Sequence, residues 1–179
     1  MSCECELVTD FLRLQEVSAD WQRWASPAGH ANIFQSWAWA QAFWKAHCDE
    51  VRLHSILVRD QEKLLGILPL VLRGNTLEFF GSPESDSNDV LCEDRDAVRV
   101  LGAALAALLK NQGSWNAGVL NHVPAESRIV RSIPELPWSL RRHLQLVFRC
   151  PSPTILVQEA GEHSRTLDSL LMRKSSCRI

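Results

Sequence analysis

Three stretches of strand-forming sequence follow one another between residues 51 and 80, separated only by short polar turns. The first, residues 53–58, alternates in side-chain character, and the second, residues 65–72, is apolar on both faces. The third, residues 77–80, follows the turn at residues 73–75, and a turn at residues 60–63 joins the first two. Because turns this short connect antiparallel neighbours, the sequence predicts three adjacent strands of one sheet.

The flanking sequence extends this prediction to a fold class. Pro69 lies inside the second predicted strand, and because proline has no backbone N–H, it indicates a sheet edge, a bulge or a local splay. Ser36 precedes residues 37–44, where apolar side chains cover most of a helix circumference, so a capped helix is expected to pack on the sheet. Later predicted strands are linked by helices. The sequence therefore predicts an α/β (α+β) fold, with a mixed, largely antiparallel central sheet flanked by helices.

Length and charge narrow the classes of function. The chain has 179 residues, a length that predicts one domain. Its net charge of −2 at neutral pH means that the chain as a whole does not attract the negatively charged backbone of nucleic acid. Its longest apolar runs, residues 64–72 and 100–109, are far shorter than the roughly 20 residues that span a bilayer. Residues 1–10 are acidic and lack the apolar core of a secretory signal. We therefore expect no nucleic-acid partner, no membrane span and a cytoplasmic location.

The cysteines and histidines do not predict a metal site. The six cysteines are Cys3, Cys5, Cys48, Cys92, Cys150 and Cys177. Only the first two lie close together, and no Cys-x-x-Cys pair occurs, whereas a tetrahedral zinc site usually shows paired ligands. The six histidines are scattered, without a His-Glu-x-x-His motif. Scattered thiols of this kind are typical of a protein in the reducing environment of the cytoplasm.

Catalytic residues cannot be assigned from motifs, and one weak cofactor motif is present. There is no Gly-x-Ser-x-Gly elbow and no Gly-rich phosphate loop. Arg99, Gly102 and Ala104 fit the loose Arg-x-x-Gly-x-Ala form in which acetyltransferases cradle the coenzyme A pyrophosphate. However, a helix is predicted to begin near Asp94, so these backbone amides would already be used in helical hydrogen bonds. A face of small residues on that helix is the favoured interpretation, and a cofactor site is the alternative.

The candidate substrate-binding residues lie in a polar loop after the third strand, residues 82–89. Its members with ligand-binding side chains are Ser82, Glu84, Asp86 and Asp89. Loops at strand ends often carry function, and carboxylates here would meet the hydroxyls or amines of a substrate. The alternative is an ordinary turn in which Asp and Asn cap their own backbone. Because no basic partner is near in sequence, we expect the loop to be exposed and to border a cleft.

Two tryptophans supplement these candidates. Trp37 and Trp39 lie in the predicted helix, and an indole face can stack on a sugar ring. Tryptophans at helical spacing are more often part of a core, so that alternative is kept for both.

The chain resembles a known family in several ordered segments. These are residues 34–39 (Phe-Gln-Ser-Trp-Ala-Trp), 66–70 (Gly-Ile-Leu-Pro-Leu) and 77–82 (Leu-Glu-Phe-Phe-Gly-Ser). Their order is similar to that of the cellulose-biosynthesis-type (CelD-like) acetyltransferases of the GNAT superfamily. In that family an aromatic residue usually stands in the loop that follows, where this chain has Ser87 in the segment 86–89.

The resemblance implies a domain organisation and an activity. Residues 1–163 would form an N-terminal GNAT-like domain, and residues 164–179 would begin a basic helix leading into a second GNAT-like half. The whole enzyme would move an acetyl group from acetyl-CoA to an amine or hydroxyl acceptor, such as a sugar or an envelope precursor. That second half would carry the coenzyme A loop, so this chain alone is not expected to bind acetyl-CoA.

Two alternatives remain open from the sequence. One is a non-catalytic binding or scaffolding domain with a degenerate GNAT fold. The other is a complete, minimal enzyme that uses residues 99–104 to hold coenzyme A. Binding of acetyl-CoA by the chain alone distinguishes the minimal enzyme from the other two.

Overall fold

A computed structural model of the protein describes residues 3–25 and 32–147. The strands in these ranges are β1 (Glu4–Val8), β2 (Arg52–Leu53), β3 (Ser55–Asp60), β4 (Lys63–Leu68), β5 (Leu70–Arg73), β6 (Thr76–Phe79), β7 (Leu91–Cys92) and β8 (Ala117–Gly118). The helices are α1 (Phe11–Gln15), α2 (Ser18–Ala25), α3 (Trp37–His47), α4 (Ala97–Lys110), α5 (Arg128–Ser132) and α6 (Trp138–Arg141). All of them belong to one compact unit that ends at Gln145. The predicted boundary at residue 163 and the predicted basic helix 164–179 lie outside the described residues.

The strands form two four-stranded sheets. The first has the order β1-β3-β4-β7 and is antiparallel throughout. The second has the order β2-β5-β6-β8, in which only the β6–β8 pair is parallel. Helices cover both faces of these strands, so the predicted α+β class with mixed, largely antiparallel pairing is confirmed.

The prediction of one central sheet is wrong, because two of the predicted strands each cross from one sheet to the other. The break falls at His54 in the first predicted strand and at Pro69 in the second. Pro69 has no backbone N–H to donate to a strand ladder, so the ladder is interrupted here. At the interruption the side-chain hydroxyl of Ser55 bonds to the next residue, Leu70. It accepts from the Leu70 N–H and donates to the Leu70 carbonyl, both at 3.1 Å. Of the edge, bulge and splay that Pro69 left open in the sequence, the structure has a splay, and the two sheets separate there.

A β-bulge in β4 sets which side chains face which helices. Val58 pairs with Gly66 and Arg59 pairs with Leu64, so Leu65 is an extra residue in the register. Leu64 consequently packs on one side of the sheet and Leu68 on the other, although simple alternation would place them together.

Two apolar cores lie on opposite sides of the strands. The first is formed with α1, α2 and α3 and is rich in aromatic rings, whereas the second is formed with α4 and α5 and is mainly aliphatic. The predicted helix is confirmed as α3: the Ser36 hydroxyl caps it by accepting from the Trp39 N–H at 3.1 Å. Its buried residues Trp37, Ala40 and Phe43 belong to the first core. In the part of the chain that is described, no helix has the length and apolar character needed to cross a bilayer.

Candidate functional site

The 82–89 loop follows β6 and divides into buried anchors and exposed side chains. Ser82, Ser85 and Asn88 are buried, while Glu84 and Asp86 are exposed. The prediction that the loop is exposed is therefore confirmed for those two carboxylates and wrong for Ser82 and Asp89. The buried positions find hydrogen-bond partners that lie far away in the sequence.

Asp89 is an anchor of α5. Its carboxylate accepts the backbone N–H groups of Val90, Arg128 and Ile129 at 2.9, 2.8 and 3.0 Å. Burial raises the pKa of the Asp89 carboxyl, and the three backbone hydrogen bonds act against that rise. Because its oxygens face the protein, Asp89 is corrected from a substrate-binding candidate to a structural residue.

The loop is also held to the segment before α5. The Ser85 hydroxyl donates to Asn88 Oδ1 at 2.7 Å, which leaves the Asn88 amide nitrogen to donate to the Asn121 carbonyl at 3.2 Å. The Asn88 backbone N–H donates to the carbonyl of His122 at 2.8 Å. Ser82 is fixed through its carbonyl, which accepts from Arg73 Nη2 at 3.2 Å. Ser82 therefore anchors the loop through its backbone.

The residues before α3 hold the loop from the other side. The Asn32 amide donates to the Ser87 carbonyl at 3.0 Å, and the Gln35 amide donates to the Asp89 carbonyl at 3.1 Å. The loop backbone is thus fixed on both flanks.

The two candidate tryptophans differ in what they contact. Trp37 is 7% exposed and stacks on Phe11 at a centroid distance of 5.5 Å, so it has the core role kept as its alternative and is corrected from a substrate-binding candidate. Trp39 is partly exposed and meets Phe34 edge to face at 5.2 Å. Its Nε1 lies 2.9 Å from where a Cβ on Gly81 would stand, and Gly81 has a φ of +108°. Of the two indoles, Trp39 is the one that borders the loop.

Sequence reasoning missed a charged cluster beside Glu84. His47, at the end of α3, lies with Nδ1 3.2 Å from a Glu50 oxygen and with Nε2 3.6 Å from Glu84 Oε1. Arg73 binds Glu50 and Glu78, each at 3.2 Å. The hydrogen bond from His47, followed by that from Arg73, lowers the pKa of the Glu50 carboxyl. The i,i+3 spacing of His47 and Glu50 was the one signal in the sequence, whereas the contact with Glu84 depends on the fold.

This cluster has the elements of acid–base chemistry. The two ring nitrogens of His47 each face a carboxylate, Nδ1 that of Glu50 and Nε2 that of Glu84. The contact with Glu50 orients the ring. A group bound at the loop beside Glu84 would lie within reach of Nε2, where an imidazole can exchange protons.

The cofactor motif is part of a continuous helix. Arg99 is the third residue of α4 and pairs with Asp60 at 2.9 Å, while Ala104 is fully buried. A Cβ on Gly102 would contact Leu136 Cδ2 at 3.4 Å, so this side of α4 packs against the protein. Gly102 and Ala104 lie more than one turn inside the helix, where their amides are used in helical hydrogen bonds.

Two grooves lie away from the loop. One is lined by residues 3 and 5 and by α4, and the other by the last turn of α2, the start of β4 and residues between 93 and 96. The predicted cleft at the end of the third strand is neither of these. Among residues 3–25 and 32–147, no group of three or more His, Cys, Asp or Glu side chains is placed to hold a metal ion.

Comparison with known proteins found no relatives. No family model, curated protein or solved structure matches the chain. The functional argument therefore rests on the geometry of the loop and on the resemblance in the sequence.

Proposed function

We propose that this chain is the N-terminal, acceptor-binding half of a GNAT-type acyltransferase. Such an enzyme moves an acetyl group from acetyl-CoA to an amine or hydroxyl acceptor, such as a sugar or an envelope precursor. The proposal rests on the 82–89 loop, whose backbone is fixed on both flanks while Glu84 and Asp86 face solvent. Carboxylates held on a fixed backbone bind a polar acceptor with a smaller loss of conformational entropy than carboxylates on a mobile loop.

The side chains around the loop suggest how the acceptor would be handled. Glu84 and Asp86 would accept hydrogen bonds from its hydroxyl or ammonium groups. His47, oriented by Glu50, would accept the proton that the acceptor loses when it attacks the acetyl group. Trp39, at the edge of the same loop, would supply an apolar surface to the acceptor.

In this proposal acetyl-CoA is held by a second GNAT-like half and not by residues 99–104. Support comes from the helical hydrogen bonding of that segment and from the Arg99–Asp60 pair, which leave no loop there to receive a pyrophosphate. The proposed location is the cytoplasm, where free thiols such as those of Cys48 and Cys92 persist.

The same observation on α4 favours a second candidate, a non-catalytic binding domain with a degenerate GNAT fold. The two candidates share the loop as a binding surface and differ in whether acetyl transfer occurs. The minimal enzyme, by contrast, requires coenzyme A to bind at Arg99.

Calorimetric titration of acetyl-CoA distinguishes these candidates. It is carried out on the chain and on a longer protein that includes downstream sequence. We expect no heat from the chain, and binding together with acetyl transfer from the longer protein. Binding by the chain that is lost in Arg99→Gln and kept in the matched variant Asp60→Asn would favour the minimal enzyme. Absence of both binding and transfer in the longer protein would favour the non-catalytic domain.

The acceptor site is tested in the longer protein by steady-state kinetics. Glu84→Gln and Asp86→Asn are expected to raise the KM for the acceptor, because a neutral amide binds an ammonium or hydroxyl donor less strongly than a carboxylate. Glu62→Gln, an exposed carboxylate in the β3–β4 turn, is the matched control. Equal effects of all three substitutions on this KM would contradict the proposal that the loop binds the acceptor.

A further inference from the structure

Two cysteines line the groove between the start of the chain and α4. This groove, of about 500 Å³, is bordered by Cys3 and Cys5 on one side and by Ala103, Ala106 and Lys110 on the other. Neither thiol is in a disulfide, Cys3 is partly exposed and Cys5 is exposed. The α4 side of the groove consists mainly of small alanine side chains.

The strand geometry places both thiols on the same side. Cys5 lies in β1 and Cys3 directly precedes the strand; Cys3 packs against the core formed with α4, and both residues line the groove. Cys5 is opposite Val58 in the β1–β3 ladder, and Val58 packs in the core formed with α4. Both thiols therefore point toward the same groove, and rotation about χ1 allows the sulfurs to approach each other.

The charges in the groove suit an anionic thiolate complex. Lys110 lines the same groove. Proximity of a guanidinium or ammonium group stabilises thiolate over thiol.

We propose that Cys3 and Cys5 form a two-coordinate site for a monovalent soft metal ion, Cu(I), in the groove between β1 and α4. Soft thiolate ligands select Cu(I), and two of them with one Cu(I) leave a single negative charge, which Lys110 offsets. A tetrahedral ion such as zinc needs further ligands, and the described residues bring no third His, Cys, Asp or Glu to this place. Each bound ion displaces the protons of the two thiols, so the affinity falls as pH falls.

Anaerobic titration of the full chain with Cu(I), in competition with a chromogenic Cu(I) chelator, tests this site. We expect Cys3→Ser and Cys5→Ser each to weaken the tightest site by more than about 100-fold, because even the loss of an outer-shell partner weakens metal binding by 10–100-fold. Lys110→Gln is expected to weaken it by about tenfold for the same reason. Circular dichroism of each variant checks that the fold is retained.

Three other cysteines provide the controls. Cys48→Ser, at an exposed free thiol distant in sequence, is expected to leave the affinity unchanged, as is the double variant Cys150→Ser/Cys177→Ser. The site is wrong if Cys3→Ser or Cys5→Ser binds Cu(I) as tightly as the unmodified chain. It is equally wrong if the controls lose affinity to the same extent as the pair. A positive result does not depend on the acyltransferase proposal, since no coenzyme or acceptor is used.

Discussion

The carboxylate of Asp89 accepts the backbone N–H of Arg128 at 2.8 Å, across 39 residues of chain. The same carboxylate accepts the next backbone N–H, that of Ile129, at 3.0 Å. One side chain thus closes the 82–89 loop and satisfies the first amides of α5, which have no partner within the helix. The rigidity of the proposed acceptor loop depends on this contact.

Asp89→Ala is expected to destabilise the protein by about 2–3 kcal/mol, because buried N–H groups lose their acceptor. The free energy of unfolding is measured by urea denaturation monitored by circular dichroism. Asp86→Ala, in the same loop but exposed, is the matched control and is expected to change stability by less than about 0.5 kcal/mol. Equal losses for the two substitutions would contradict the anchoring role of Asp89.

The difference between Asp86 and Asp89 shows what the sequence could not predict. Both are carboxylates in one polar loop, and which of them turns inward depends on the amide of Arg128, far along the chain. The helical state of residues 99–104 was predictable, because it follows from local propensity. The contact between His47 and Glu84 was not, because it joins two segments that only the fold brings together.

The division into two sheets was predictable only in part. Pro69 marked a break in the ladder, since the missing donor is a property of that residue alone. The sequence could not show that the hydroxyl of Ser55 would fill the gap, nor that the break would separate two sheets. Those outcomes depend on how β3 and β5 meet in the fold.

Gly66→Ala is expected to lower the free energy of unfolding by about 3 kcal/mol or more, because the structure has no room for a Cβ at this position. A Cβ there would lie 2.7 Å from Cys92 Cβ and 2.8 Å from both the Leu91 oxygen and Val100 Cγ1. Two of these contacts involve β7, so relief would require a shift of the sheet. Gly113→Ala is the control, since nothing lies within 4 Å of its added Cβ. Thermal unfolding measures the stability of both variants. A Gly66→Ala protein as stable as the unmodified chain would contradict this packing.

Glu6 and Arg13 predict a pH dependence of stability. Two hydrogen bonds, of 2.6 and 2.8 Å, join these side chains between β1 and α1, and the bond from Arg13 lowers the pKa of Glu6 below its usual value. A carboxyl with a lowered folded pKa contributes stability above its unfolded pKa of about 4.5, and the contribution is lost as pH falls through the folded pKa.

Glu6→Gln is therefore expected to lower stability by about 0.5–1 kcal/mol at pH 7, a value limited by the solvent exposure of the pair. The deficit should shrink below pH 4.5 and disappear in more acidic solution. Urea denaturation at several pH values measures it, with Glu4→Gln as the exposed control on the same strand. A deficit that stays constant from pH 7 into acid would contradict the assignment to this ion pair.

Ser55→Ala tests the junction between the two sheets. The substitution leaves the Leu70 N–H, a buried group, without the hydroxyl acceptor that it has at 3.1 Å. A loss of about 1–3 kcal/mol is expected from the unsatisfied donor. Hydrogen exchange of the Leu70 amide, followed by NMR, should accelerate more than that of amides in β1. Ser114→Ala, at an exposed position, is the control, and unchanged exchange at Leu70 would show that the hydroxyl is not part of the junction.

The charged cluster beside the loop is tested by the titration of Glu50. His47→Gln removes the hydrogen bond that contributes most to the lowered pKa of Glu50, so this pKa is expected to rise toward its usual value. Arg73→Gln is expected to raise it by a smaller amount, because its hydrogen bond is the second contribution. Carbon-13 NMR of the side-chain carboxyl measures the pKa directly. Arg131→Gln, whose side chain pairs with Asp94 instead, should leave Glu50 unchanged. If His47→Gln moved the pKa of Glu50 no more than Arg131→Gln did, Glu50 would not orient His47, and the assignment of His47 as the proton acceptor would lose its support.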